Sequence, residues 1–240
     1  MGRFGLAFCA AAVLLVSGCA STRSLGGAPG LTVLDTTTMP VPEGVQPGSM
    51  TRPYLVGPGD ELLVDVLGID ELHERKISTD GEGRMSLPLA GTIDANGLTI
   101  TQLRDKIVAQ MKANYVRDPI VSVNLSEPRS RVVTVDGQVA KPGLYPVVGR
   151  MTLMQAVAKA EGTEEFAKLD DVVLFRTIGE DRYAALYNLA AIRRGAYADP
   201  EVYPNDTVVV GESVGRRMFQ TLVQAGTLIA GPIIALIQRN

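Results

Sequence analysis

Alternation of apolar and polar positions begins in earnest at Tyr54-Leu55-Val56. It breaks at a Gly57-Pro58-Gly59-Asp60 turn and resumes as Leu62, Val64 and Val66 interleaved with Leu63 and Asp65. A period of two predicts strands with one buried face. A hairpin-like stretch is expected next, from Lys76 through Asp80-Gly81-Glu82-Gly83 to Leu87-Pro88-Leu89. The period then changes: Ile100, Leu103, Ile107 and Met111 share one helical face, and Thr99 with Gln102 stand in capping-box spacing ahead of them. Pro119 to Leu125 alternates again as a closing strand. A second block repeats the scheme, with Val133, Val135 and Gly137, a Lys141-Pro142-Gly143 turn, and Leu144 to Val147 as a returning strand. Thr152 and Gln155 form a second capping-box pair before Leu153, Ala156, Val157 and Ala160, and Gly162 is placed to stop that helix. Strands over Val172–Thr177, Arg182–Tyr187 and Thr207–Val210 complete a small sheet wrapped around one helix. The pattern therefore predicts two small mixed α/β domains, over 53–127 and 128–212.

Both flanks read differently. Residues 1–18 carry one charge, Arg3, then an apolar run from Phe4 to Val16 and the small residues Ser17 and Gly18, the layout of a secretory signal. The run falls short of the roughly 20 residues a bilayer span needs, so cleavage is expected rather than permanent anchoring. Val16-Ser17-Gly18-Cys19 is similar to the bacterial lipobox, which implies an acylated Cys19 after cleavage. Ala20 follows it where an Asp would imply retention at the inner membrane, so the same resemblance implies sorting to the outer membrane. Residues 19–52, rich in Ser, Thr, Gly and Pro with no sustained period, are expected to be a tether or irregular lead-in.

At the far end, within a tail covering 213–240, Met218 to Ile237 has no charged residue, with Arg216 and Arg217 before it and Arg239 after it. As a helix it would be about 30 Å long, enough to cross a hydrocarbon core. Gln220, Gln224, Thr227, Gly231, Ala235 and Gln238 recur at intervals of three and four and so line one stripe, and the remaining face carries Leu222, Leu228, Ile229 and Ile233 among others. A single helix in lipid gains nothing from a glutamine stripe. Several copies in a ring could turn these stripes toward a shared watery lumen and leave each helix a lipid face. Pro232 removes one backbone donor and is expected to bend the helix near Leu228.

Composition narrows the chemistry. Hydrophobic residues make up 46% and charged ones 20%, which fits a folded chain. The formal charge of -3, with basic residues scattered singly or in pairs, argues against nucleic acid as a partner. One His, two Cys and no Trp leave little from which to assemble a metal or thiol site, so no cofactor or metal is expected. Cys9 would leave with the signal, so no disulfide can form within the mature chain. Catalysis on sugars would need two carboxylates roughly 5 to 10 Å apart in a cleft. Asp60 and Glu61 lie beside a turn with nothing to pair them with a distant partner, and His73 reads as a solvated loop residue. The chain is expected not to be an enzyme.

Tyr54 to Leu62, Asp80-Gly81-Glu82-Gly83-Arg84 with Leu87 to Gly91, and Tyr115 with Asp118-Pro119, in this order and spacing, resemble the export domain of the Wza-type outer-membrane polysaccharide export proteins. Val135 to Val139, Lys141 to Tyr145 and the helix after Thr152 are similar to the soluble-ligand-binding β-grasp module (SLBB) that follows it in that family. There is room for one such module, as in the short exopolysaccharide exporters. The resemblance implies a homo-oligomeric ring, an octamer among its forms, whose C-terminal helices build a transmembrane α-barrel in outer-membrane lipid. It also implies an exopolysaccharide or capsular polysaccharide as cargo and an inner-membrane polysaccharide co-polymerase as partner. The alternative is a monomeric periplasmic lipoprotein that holds a small ligand in its β-grasp module.

Overall fold

The computed structural model describes residues 25–34, 38–42, 44–45, 52–114 and 116–218. Within them lie two hydrophobic cores. The first is built on β2 (Glu61–Val66), whose Leu62, Val64 and Val66 point inward while the intervening residues stay partly exposed. β2 pairs antiparallel with β3 (Arg75–Ser78) on one side and β6 (Val121–Glu127) on the other. Helix α1 (Ile100–Ala113) covers this sheet with Leu103, Ile107 and Met111, all fully buried. Each such side chain contributes roughly 1.5–3 kcal/mol by leaving water. The helix starts where the sequence requires: the Thr99 hydroxyl accepts the Gln102 N–H, and the Gln102 amide accepts the Thr99 N–H.

One expected pairing differs. The stretch from Lys76 to Leu89 is not one hairpin, because β3 pairs back onto β2, with Ile77 opposite Leu62. The reversal falls later, between β4 (Arg84–Leu87) and β5 (Gly91–Asp94), where Leu89 and Gly91 have φ of 65° and 73°. The Asp80 carboxylate accepts the N–H groups of Glu82 and Arg84 and thereby shapes the link between β3 and β4. Burial decides the outcome: Met85, Leu87 and Ile93 must all reach the first core, and only the later hairpin turns them there together.

The second core sits under a six-stranded mixed sheet of order β1-β11-β10-β13-β7-β8. Its members are β1 (Leu31–Leu34), β7 (Val132–Gly137), β8 (Gly143–Pro146), β10 (Ala167–Ile178), β11 (Asp181–Tyr187) and β13 (Thr207–Glu212). A small ladder of β9 (Met151–Thr152) with β12 (Glu201–Val202) accompanies it. Helix α2 (Leu153–Lys159) opens on the Thr152–Gln155 capping box and buries Leu153, Ala156 and Val157. Helix α3 (Leu189–Arg193) is capped by the Asn188 side chain, which accepts the Ala191 N–H. This is a sheet grasping a helix, as the pattern predicts.

Part of the segment expected to be an irregular lead-in is regular. Leu31–Leu34 runs parallel to β11, with Leu31 opposite Arg182, and Met39 is buried in the second core. Among the described residues no helix is long and apolar enough to cross a membrane. Residues 214–218 are helical, and the remainder of the expected spanning segment lies outside the described residues.

Candidate functional site

The residues singled out by sequence as lipid-bearing or pore-lining, Cys19, Gln220, Gln224, Thr227, Gly231, Ala235 and Gln238, all lie outside the described residues. What the fold does bring together is a polar seam between the two cores.

Asp60 is its hub. The side chain is fully buried, so its charge must be met by donors from the protein. Oδ1 accepts the backbone N–H groups of Arg129 and Ser130, and Oδ2 accepts the Gly57 N–H and the Ser130 hydroxyl, each at 2.8 Å. The Tyr54 hydroxyl donates to the same carboxylate, also at 2.8 Å. Burial opposes the charge, yet the backbone donors of Ser130, Gly57 and Arg129, with the Ser130 hydroxyl, together outweigh it and hold the carboxyl below its ordinary range. Burial pushes the Tyr54 phenol up to about 12, with Asp60 reinforcing the rise. The distant partners of Asp60 are donors rather than a second carboxylate: the chain between β6 and β7 folds its N–H groups onto it. Gly57 is needed at this approach, since a Cβ there would lie 2.6 Å from the Ser130 side chain.

Glu61 faces the other way, paired with Lys76 at 2.8 Å and accepting from Ser126 at 2.9 Å. His73 is exposed, as expected, and its Nδ1 lies 2.9 Å from Asp65. Among the described residues no group of three or more His, Cys, Asp or Glu side chains is arranged to hold a metal ion.

Beside the Asp60 hub, the ring of Tyr203 is contacted by two guanidinium groups, Arg52 at 4.7 Å and Arg176 at 4.4 Å from its centroid. Arg176 is buried and forms a two-pronged pair with Asp206, at 2.9 and 2.7 Å, while also donating to the carbonyls of Pro40 and Glu201. Arg52 bonds Glu201 at 3.1 Å, and Glu201 also receives Arg150 and the Tyr203 hydroxyl. Burial works against the Glu201 charge, but its hydrogen bonds from Tyr203, Arg52 and Arg150 win, and the carboxyl sits below its ordinary range. On the other flank, the Arg131 Nε donates to the Leu55 carbonyl at 2.8 Å. Between Arg52, Arg131, Tyr54, Val147, Gly149 and Tyr203 lies a cavity of about 300 Å³.

The order of these parts has close counterparts. Residues 49–126 match the family of polysaccharide biosynthesis/export proteins, and residues 132–184 match the SLBB domain. The chain is similar to the polysialic acid transport protein KpsD of Escherichia coli, with 26% identity over 159 residues, 66% of this chain and 28% of that protein. It is 32% identical over 113 residues to the EPS I polysaccharide export outer membrane protein EpsA of Ralstonia solanacearum, covering 47% of this chain and 29% of the relative. The Vi polysaccharide export protein VexA/TviF of Salmonella typhi is 33% identical over 94 residues, 38% of this chain and 26% of its own length. The matched part thus spans less than a third of each relative. These matches identify an export domain followed by a β-grasp-like SLBB domain, and in that order the chain resembles the Wza-type polysaccharide export proteins.

Proposed function

We propose that the chain exports an exopolysaccharide or capsular polysaccharide from the periplasm to the cell surface as a ring-shaped homo-oligomer in the outer membrane. The observation that carries this reading is the succession of an export domain, a single SLBB domain and an uncharged C-terminal segment with a glutamine stripe. In this reading Cys19 is acylated and two acyl chains hold the N-terminus in the membrane, since one chain alone anchors marginally. The domains over 53–127 and 128–212 stand in the periplasm, where they meet an inner-membrane co-polymerase. The helices built from Met218 to Ile237 form the barrel.

Passage is passive and wet. Stripping sugar hydroxyls of water without replacement costs several kcal/mol for each buried group, so the wall must offer substitutes. Gln220, Gln224, Thr227 and Gln238 supply donors and acceptors, and Gly231 and Ala235 leave width. The stripe has no charge on which an acidic polymer would stick.

Cysteine scanning tests this reading. Cysteines at Gln224 and Thr227 should react with a water-soluble thiol reagent that cannot reach cysteines at Leu222 and Ile229, and deletion of 216–240 should abolish export. Equal labelling of both faces, or normal export by the truncated chain, would overturn it.

A further inference from the structure

The cavity between the two domains carries a feature that the export reading does not use. Among the described residues, Arg52 Nη1 is the one buried side-chain nitrogen or oxygen without a hydrogen-bond partner. A buried guanidinium donor left unpaired is costly, and an anion held beside the group would offset part of that cost. Arg52 lines the cavity. The Tyr203 ring under its guanidinium and the bond from Nη2 to Glu201 fix the group in place, so its charge is preorganised at the cavity wall.

Charge points the same way. Two guanidinium groups line this cavity, those of Arg52 and Arg131, and no carboxylate stands among the lining residues. Behind that wall Glu201 is shared by Arg52 and Arg150, and Asp60 is held through Tyr54. Arg176 and Asp206 cancel one another. The surface a ligand would touch is therefore cationic, and a monoanion complements it. The volume of about 300 Å³ is at the lower end of ligand pockets and suits one small molecule rather than a threaded chain. Pro53, Leu55 and Val147 supply apolar wall for the carbon skeleton of such a molecule.

We propose that this interdomain cavity binds a monosaccharide-sized carboxylate, a uronic acid being the simplest, with Arg52 and Arg131 as the anion-binding pair. That the carboxylate belongs to a sugar rests on the export reading; the anion site itself does not. A free acidic sugar and an acidic residue at the end of a polymer offer the same group.

Calorimetric titration of the full-length, detergent-extracted protein tests the site, with glucuronate as ligand and glucuronamide as its neutral counterpart. Glucuronate should bind at least about tenfold more tightly, as expected for a charge-assisted hydrogen bond. Arg52→Gln should weaken glucuronate binding by a similar factor and leave glucuronamide unchanged. Should that variant fail to fold, as judged by its thermal midpoint, Arg131→Lys keeps the charge, loses the planar fork and should also bind about tenfold more weakly. Tighter binding of an oligosaccharide ending in glucuronate would identify the source as polymer, and tighter binding of the free sugar would identify a soluble ligand; either supports the site. Equal affinity for glucuronate and glucuronamide, no saturable binding at millimolar concentration, or equally tight binding of inorganic phosphate would overturn the proposal. Absent binding in a protein that still forms rings would fail the site alone, whereas binding by single copies would fail the export reading alone.

Discussion

The carboxylate of Asp60 accepts both the backbone N–H and the hydroxyl of Ser130, each at 2.8 Å, across 70 positions of sequence. The first residue belongs to the turn before β2 and the second to the link between β6 and β7, so the pair fastens the export domain to the start of the β-grasp-like one. Asp60→Asn sets an amide group against at least one donor that now meets an oxygen. It should lower stability at pH 7 by about 2–4 kcal/mol, read from the urea midpoint.

The same variant carries a pH signature. The folded Asp60 carboxyl titrates below its ordinary value of about 3.9, so the stability it supplies is complete above that value and is lost as pH falls through the folded one. Between pH 5 and pH 3 the wild type should lose more stability than Asp60→Asn. Some slope will remain in the variant, because Glu201 is also held low. Parallel losses in the two proteins would contradict the role given to Asp60.

Gly137 ends β7 at φ 83°, and a Cβ there would lie 2.2 Å from the Val210 carbonyl oxygen in the neighbouring strand. Gly137→Ala should cost roughly 2–4 kcal/mol from left-handed strain and overpacking together. At Gly81 an added Cβ meets nothing within 4 Å, so Gly81→Ala should stay within about 0.5 kcal/mol of wild type. Thermal melting of both variants checks the contrast.

The sequence was most legible where the physics is local. Both capping boxes and the inward positions of β2, α1, β7 and α2 follow from spacing alone, because each side chain's environment is set within a turn or a strand. Non-local pairing was not legible. Leu31–Leu34 is too short to display a period, and its partner β11 lies about 150 positions away. The polar seam left a single local trace, the Gly57-Pro58-Gly59-Asp60 turn, and nothing near it names Ser130. Arg176 and Asp206 likewise read as ordinary charged residues until the sheet buries them side by side. For the lipid and pore residues, Cys19 and the glutamine stripe, sequence remains the basis of the reading.

Arg176 and Asp206 are each 2% exposed at the side chain, which makes their pairing obligatory. Arg176→Met leaves the Asp206 carboxylate without its cation and should destabilise by roughly 3–5 kcal/mol. Adding Asp206→Leu should restore part of that loss, since two apolar side chains no longer bury an unmatched charge. A double-mutant cycle in urea measures the difference, and a double variant no more stable than the single one would count against this account of the pair.

The central claim is that many copies of this chain enclose one aqueous path through the outer membrane. Electron-microscope images of the full-length protein extracted from membranes in mild detergent test it most directly. Closed rings with a central hole are the predicted result; a uniform field of single copies would contradict it.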